Sequence, residues 1–316
     1  MFNRYWREFP WWLQVLQFFI MVFIFLGFFT IISALVLPRV TGVTLASVIN
    51  ISETASVKEI NALLIFQFLY ATFLFIIPTL LFAYVAHPSP GKYLGLTAPR
   101  KPFHWILSIL ILLSILPTFL AITNWLSQFD FGASLKEMQE KNEKLSRLFL
   151  TMPTFGEFLK TFLVLAIMPA VSEELFFRGM VMRFAAKKFK NPVFPILISA
   201  ILFAWLHSNI YGLPSIFAAG VLLGIIYHLT GSLWCSILAH MVHNGLQVAL
   251  YYISNNNPAF RAILDNNEVP ISFVVVGLAI FGLCIFLLWK SRTPLAKNWA
   301  DDFAGEKPES TDNFTA

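Results

Sequence analysis

Apolar residues run along this chain in long blocks, and the polar positions that interrupt them are few and clustered. Blocks of about twenty apolar residues match the length a helix needs to cross the hydrocarbon core of a bilayer. They predict an all-α integral membrane protein with about eight transmembrane helices. The expected spans are Trp11–Leu37, Ala62–Ala86, Phe103–Leu126, Phe155–Ala170 continuing as a helix to near Lys188, Pro192–His207, Leu213–Leu229, Ser232–Ile253 and Ile271–Trp289. Connections are short between Phe155 and Ile253, so the spans there are expected to pack as one unit. The organisation then divides into residues 1–150 (N-terminal spans plus an amphipathic segment), 151–255 (a core), 256–290 (a last span) and 291–316 (a polar tail expected to be disordered).

One stretch breaks the pattern. Asp130–Leu150 alternates Lys136, Glu137, Glu140, Lys141, Glu143, Lys144 and Arg147 with Leu135, Met138, Leu145, Leu148 and Phe149. It predicts an amphipathic helix on the membrane surface or over the bundle. Its role is either a solvated linker or a lid over an entry path.

Composition agrees with the pattern. The 316 residues are 58% hydrophobic and 12% charged, against roughly 25% charged in soluble domains. Thirty-four Phe and nine Trp suit lipid-facing and interfacial surfaces. The net charge of +5 is ordinary topology charge, and no nucleic-acid module accompanies it. Thirteen Lys and Arg fall on the side that holds both termini and seven on the other, which predicts cytoplasmic termini. Cys235 and Cys284 both lie inside apolar segments, so packing is their expected role. The first apolar run, reaching Leu37, is too long for the core of a signal peptide and is read as a retained span.

Ionisable groups inside a bilayer cost a few kcal/mol each, so each one there is a candidate functional residue. They fall into three clusters. The first is Ser172-Glu173-Glu174-Leu175-Phe176-Phe177-Arg178-Gly179. Glu174 and Arg178, four apart, share a helix face and can pair, while Glu173 is rotated by roughly 100° and left for another partner. Pro169 just upstream is expected to break or kink the helix and make room for water. The plainer account is a helix-end salt bridge, which explains Glu174 and Arg178 and leaves Glu173 idle. The second cluster is His207 at the end of its span, with Phe203 one turn behind; a lone His there also suits an interfacial role. His87, His104 and His228 are given only that interfacial reading.

The third cluster is Ser236, His240, His243, Asn244 and Gln247 within one apolar helix. Spacings of three, four and seven put them on one stripe, which must face the bundle interior or a cavity. Polar helix–helix glue is the alternative, but two His and an Asn exceed what that needs. Gly220 and Gly224 in the preceding span form a GxxxG face read as packing.

These clusters, in this order, resemble the CAAX prenyl endopeptidase and bacteriocin-processing (CPBP, or Abi) family, whose pattern is EExxxR, then FxxxH, then HxxxN. Here Glu173-Glu174 with Arg178, Phe203 with His207, and His240 with Asn244 supply it, over about Phe155–Ile253. The resemblance implies an eight-span helical core that hydrolyses peptide bonds in a membrane cavity. It implies that Glu173 and His207 activate the attacking water, that His240 and Asn244 stabilise the oxyanion, and that Arg178 orients the glutamate pair. The cofactor stays open: two His and a Glu can hold a divalent metal such as zinc, or Glu173 can act directly as a general base. The implied partners are membrane lipid and a peptide or membrane-anchored protein, prenylated CAAX tails being one class. Other members serve as scaffolds or in bacteriocin immunity.

Competing chemistries find less support. There is no HExxH and no GxSxG. All five Asp (Asp130, Asp265, Asp301, Asp302 and Asp312) lie outside the predicted spans. A proton-coupled transporter using Glu173, His207 and His240 as a relay would be expected to show inverted repeats, and none is evident. One tension remains at this level. Glu173 and His207 sit far along helices that run in opposite directions, so they meet only if the Phe155 helix starts outside the bilayer or tilts strongly.

Overall fold

The computed structural model describes residues 6–52, 54–207, 209–265 and 269–303. Among the described residues every regular element is a helix. The main ones are α1 (Trp11–Thr41), α2 (Val57–Ala86), α3 (Phe103–Leu126), α4 (Ala133–Phe149), α5 (Phe155–Lys188), α6 (Val193–Trp205), α7 (Leu213–Thr230), α8 (Leu233–Asn256), α9 (Pro258–Asp265) and α10 (Ile271–Ser291).

Each of the eight apolar segments is therefore helical. Six of them, α1, α2, α3, α5, α7 and α10, are long and apolar enough to cross a membrane, and the protein is an integral multi-pass membrane protein. α6 has 13 residues, about 20 Å of helix against a hydrocarbon core of roughly 30 Å. It is shorter than that thickness, and His207 follows just past its end. α8 has 24 residues but carries the third polar cluster.

Local sequence sets the helix ends. α2 and α5 each start with a capping box, Ser56 with Glu59 and Thr154 with Glu157. α7 ends at Gly231, whose left-handed conformation closes the last turn. Pro169 does not break α5. A wide π-helical turn at Leu163–Ile167 precedes it, and the helix resumes at Met168. Proline has no N–H for the fourth carbonyl back, and its ring crowds that carbonyl, so a widened turn absorbs it. Pro78 in α2 follows a similar turn at Thr72–Ile76.

α5 is the central helix. α2 and α1 pack on one side of it, α6 on another, and α8 crosses it along the π-helical turn. α7 lies between α6 and α8, and α3 with its long partner α10 covers the outside of α7 and α8. Aromatic rings fill the main core: Phe18, Phe75, Phe82, Phe176 and Phe184 meet with centroids 5.0–5.6 Å apart. Lipid offers no hydrophobic drive for helix association, so contacts of this kind must hold the bundle. Gly220 and Gly224 do the packing expected of them: a Cβ at either would come within 3.0–3.2 Å of Ile196, Ala200 or Phe203 on α6. Cys235 and Cys284 are free and buried in one apolar cluster.

The amphipathic segment forms α4, which packs its Leu148 and Phe149 against α2 and Val164 of α5. The C-terminal tail departs from expectation. Thr293 and Leu295 bond backbone to backbone with Leu229 and His228 at the end of α7, and the chain then folds under the bundle as far as Phe303. Asp302 is buried there against Arg183 (3.3 Å) and Lys187 (2.5 Å). Arg183 also donates to the carbonyls of Tyr93 and Trp299. Two cations that α5 brings to the membrane edge need a carboxylate, and the tail supplies it; this order displaces the disorder expected for 291–303. The rest of that segment, 304–316, lies outside the described residues.

Candidate active site

Glu173 and Glu174 close the α-helical stretch Met168–Glu174, between the turn at Leu163–Ile167 and a second π-helical stretch at Leu175–Val181. Arg178 lies inside that second stretch and still reaches back: its Nη1 donates to Glu174 Oε1 at 2.6 Å. Its Nη2 donates to the carbonyl of Gly220 at 2.8 Å, and its guanidinium lies 4.7 Å from the centre of the Phe203 ring. Both side chains of this pair are fully buried inside the bundle.

α8 delivers His240 to the same carboxylate oxygen, with Nδ1 3.1 Å from Glu174 Oε1. His207 follows the end of α6, with Nδ1 2.8 Å from the Phe203 carbonyl. Both Nδ1 atoms face acceptors, which assigns the ring proton to Nδ1 and leaves each Nε2 with a lone pair. Those two nitrogens converge on Glu173: its Oε2 lies 4.0 Å from His207 Nε2 and 3.9 Å from His240 Nε2. This oxygen is buried and bonds to no protein donor.

Exposure is graded across the group. Glu174 and Arg178 are sealed, His240 is 7% exposed, Glu173 18% and His207 32%. One carboxylate is thus locked by a cation and an imidazole, while the other stands in a gap that opens past His207. With Glu173 as a carboxylate, the gap presents three acceptors. A single water has two protons for them, so full satisfaction needs one more proton or a cation. The donor atoms a divalent ion would need to draw together are Glu173 Oε2, His207 Nε2 and His240 Nε2. Bound there, it would supply Lewis-acid polarisation and an acidified water. As they are arranged, however, no group of three or more His, Cys, Asp or Glu among the described residues could hold a metal ion.

The depth problem resolves through helix length. α5 runs for 34 residues, about 50 Å, well beyond the hydrocarbon core. Measured from the ends that meet at the Lys188–Val193 connection, Glu173 lies about 22 Å along α5 and His207 about 21 Å past the start of α6. The two therefore lie at similar distances from that connection, and α5 has length to spare toward its Phe155 end.

The stripe on α8 does not act as one unit. Ser236 bonds the Leu223 carbonyl of α7, His243 is turned to the backbone of Leu112, and Gln247 is exposed. Asn244 points to α5, where its Nδ2 lies 3.5 Å from the Leu165 carbonyl. His104 pairs with Ser291, and His87 with the backbone of Ser89, away from the glutamates. Glu173, Glu174, Arg178, His207 and His240 are brought together, with Asn244 one turn further along α8.

Three residues near the site have contacts that their sequence patterns did not specify. Phe203 is a hub: its ring lies 4.5 Å from that of His207 and 5.9 Å from that of His240, and Arg178 sits over its face. Gly220 contributes a carbonyl, which no side-chain motif reveals. Tyr70 of α2 comes close enough to Glu173 to feel its charge; a polar side chain in the middle of an apolar span was its one available sign.

A family model described as type II CAAX prenyl endopeptidase Rce1-like matches residues 155–246, the segment that holds all six polar positions. No curated protein and no solved structure matches the chain.

Proposed function

We propose, from the match of residues 155–246 to the type II CAAX prenyl endopeptidase Rce1-like family model, that this protein is an intramembrane endopeptidase using water activated by glutamate and histidine. Its substrates are membrane-associated peptides or proteins. The observation that carries this reading is the convergence of His207 Nε2 and His240 Nε2 on Glu173 Oε2. Water held between Glu173 and His207 gives a proton to Glu173 as its oxygen attacks the scissile carbonyl. The developing oxyanion takes hydrogen bonds from Asn244 Nδ2 and from His240, which offers an Nε2–H when its ring carries both protons. Glu174 holds His240 in that orientation, and Arg178 holds Glu174. Collapse of the tetrahedral intermediate breaks the C–N bond, and the proton on Glu173 passes to the leaving nitrogen. Cytoplasmic termini belong to the same proposal, on the loop charges.

The test compares membrane and secreted peptide profiles of cells carrying wild-type protein, Glu173→Gln or His207→Ala at matched expression. A product present in wild type and missing from both variants is expected. Identical profiles from all three would overturn the enzyme reading in favour of a scaffold or immunity protein built on the same fold.

A further inference from the structure

On the far side of α5 from the catalytic cluster, α2, α5 and the end of α1 enclose a groove of about 590 Å³. Its floor is apolar, formed by residues such as Ile65, Phe68 and Leu163, and Lys58, Asn61 and Lys160 stand at its rim. Lys58 is the second residue of α2 and Lys160 the sixth of α5. Both helices begin on the same membrane face, so the ammonium groups lie at headgroup level and the apolar floor runs down from them into the hydrocarbon.

The acidic neighbours are engaged elsewhere. Glu59 Oε2 accepts from the Ser56 amide (2.7 Å) and hydroxyl (2.8 Å), and Glu157 Oε2 from the Thr154 amide (3.1 Å) and hydroxyl (2.9 Å). Each carboxylate closes its own helix cap. Lys160 donates to Asn61 Oδ1 at 2.6 Å, and among the described residues neither lysine has an ion-pair partner. Two ammonium groups free of ion-pair contacts above an apolar trough complement one kind of ligand: a phosphate with an acyl chain below it.

We propose that this groove binds an anionic phospholipid, with Lys58 and Lys160 on the phosphate and one acyl chain along Ile65, Phe68 and Leu163. The site does not depend on the catalytic reading, because none of its side chains belongs to the Glu–His cluster.

The test uses the purified full-length protein in mild detergent and intact-complex mass spectrometry. The probes are phosphatidylglycerol and phosphatidylcholine with identical acyl chains. Wild type is expected to retain phosphatidylglycerol in preference. In Lys58→Gln/Lys160→Gln that preference should fall by about fivefold for each lysine, the factor one basic side chain contributes at an anionic surface. Lys58→Arg/Lys160→Arg should keep it, and Leu163→Trp, which fills the exposed trough and leaves both charges, should lose bound lipid. Equal retention of both lipids by wild type, or an unchanged preference in the glutamine variant, would overturn the proposal. So would displacement of phosphatidylglycerol by excess inorganic phosphate alone, since the trough would then contribute nothing.

Discussion

Asn244 donates to the carbonyl of Leu165 across 3.5 Å, and this is the carbonyl four residues before Pro169, which has no N–H to offer it. The amide closes a defect that the proline opens, and it joins α8 to α5 beside the glutamates. Asn244 therefore has two assignable tasks, joint and oxyanion donor, and they separate by measurement. Asn244→Ala should lower stability by only about 0.6 kcal/mol, the usual size of such a bond between membrane helices. Turnover per folded molecule should fall by about 100-fold, as for loss of an oxyanion donor. Thermal unfolding in detergent together with product formation checks both, and unchanged turnover would leave the joint as its whole role.

Glu174 and Arg178 are wholly buried, so removing one partner strands the other. Arg178→Met and Glu174→Gln should each cost about 3–5 kcal/mol. The double substitution should cost clearly less than the sum, because neither charge is then left alone. Midpoints of unfolding for the four proteins complete the cycle. Additive losses would mean that the pair is not coupled.

Gly220 offers a steric test with an internal control. A Cβ there meets Ala200 and the Phe203 ring at 3.2 Å, whereas one at Gly27 meets nothing within 4 Å. Gly220→Ala should destabilise by about 1–3 kcal/mol by forcing α6 and α7 apart. Gly27→Ala should be neutral or stabilising by up to about 1 kcal/mol. Gly220→Ala should also slow product formation, since Phe203 holds His207 and the Gly220 carbonyl holds Arg178.

Asp302 ties the C-terminal tail to α5 through Arg183 and Lys187. Asp302→Ala should cost about 2–4 kcal/mol, short of the full penalty for a buried pair because Arg183 keeps the carbonyls of Tyr93 and Trp299. Faster limited proteolysis after Lys290, with secondary structure unchanged, is the expected sign. A cleavage pattern matching wild type would mean that the strap holds without its carboxylate.

What the sequence determined by itself follows from local rules. The length and apolarity of the blocks decide that each is a helix and that six of them can cross a membrane. The i,i+4 spacing of Glu174 and Arg178 already contains their ion pair, and the burial cost of charge marks Glu173, His207 and His240 as residues with a task. Tertiary structure decided everything that depends on relative depth and rotation. The meeting of Glu173 with His207 rests on their similar distances from the α5–α6 connection and on how the two helices pack, and neither is written in one helix alone. Which members of the α8 stripe face the glutamates was set by the crossing of α8 with α5, a packing angle that side-chain period leaves free. Pro169 read as a break because the sequence shows the missing donor but not the π-helical turn and the Asn244 amide that compensate for it. The tail from Thr293 to Phe303 looked unstructured because its composition is polar, and the buried cations that hold it belong to a helix more than a hundred residues earlier.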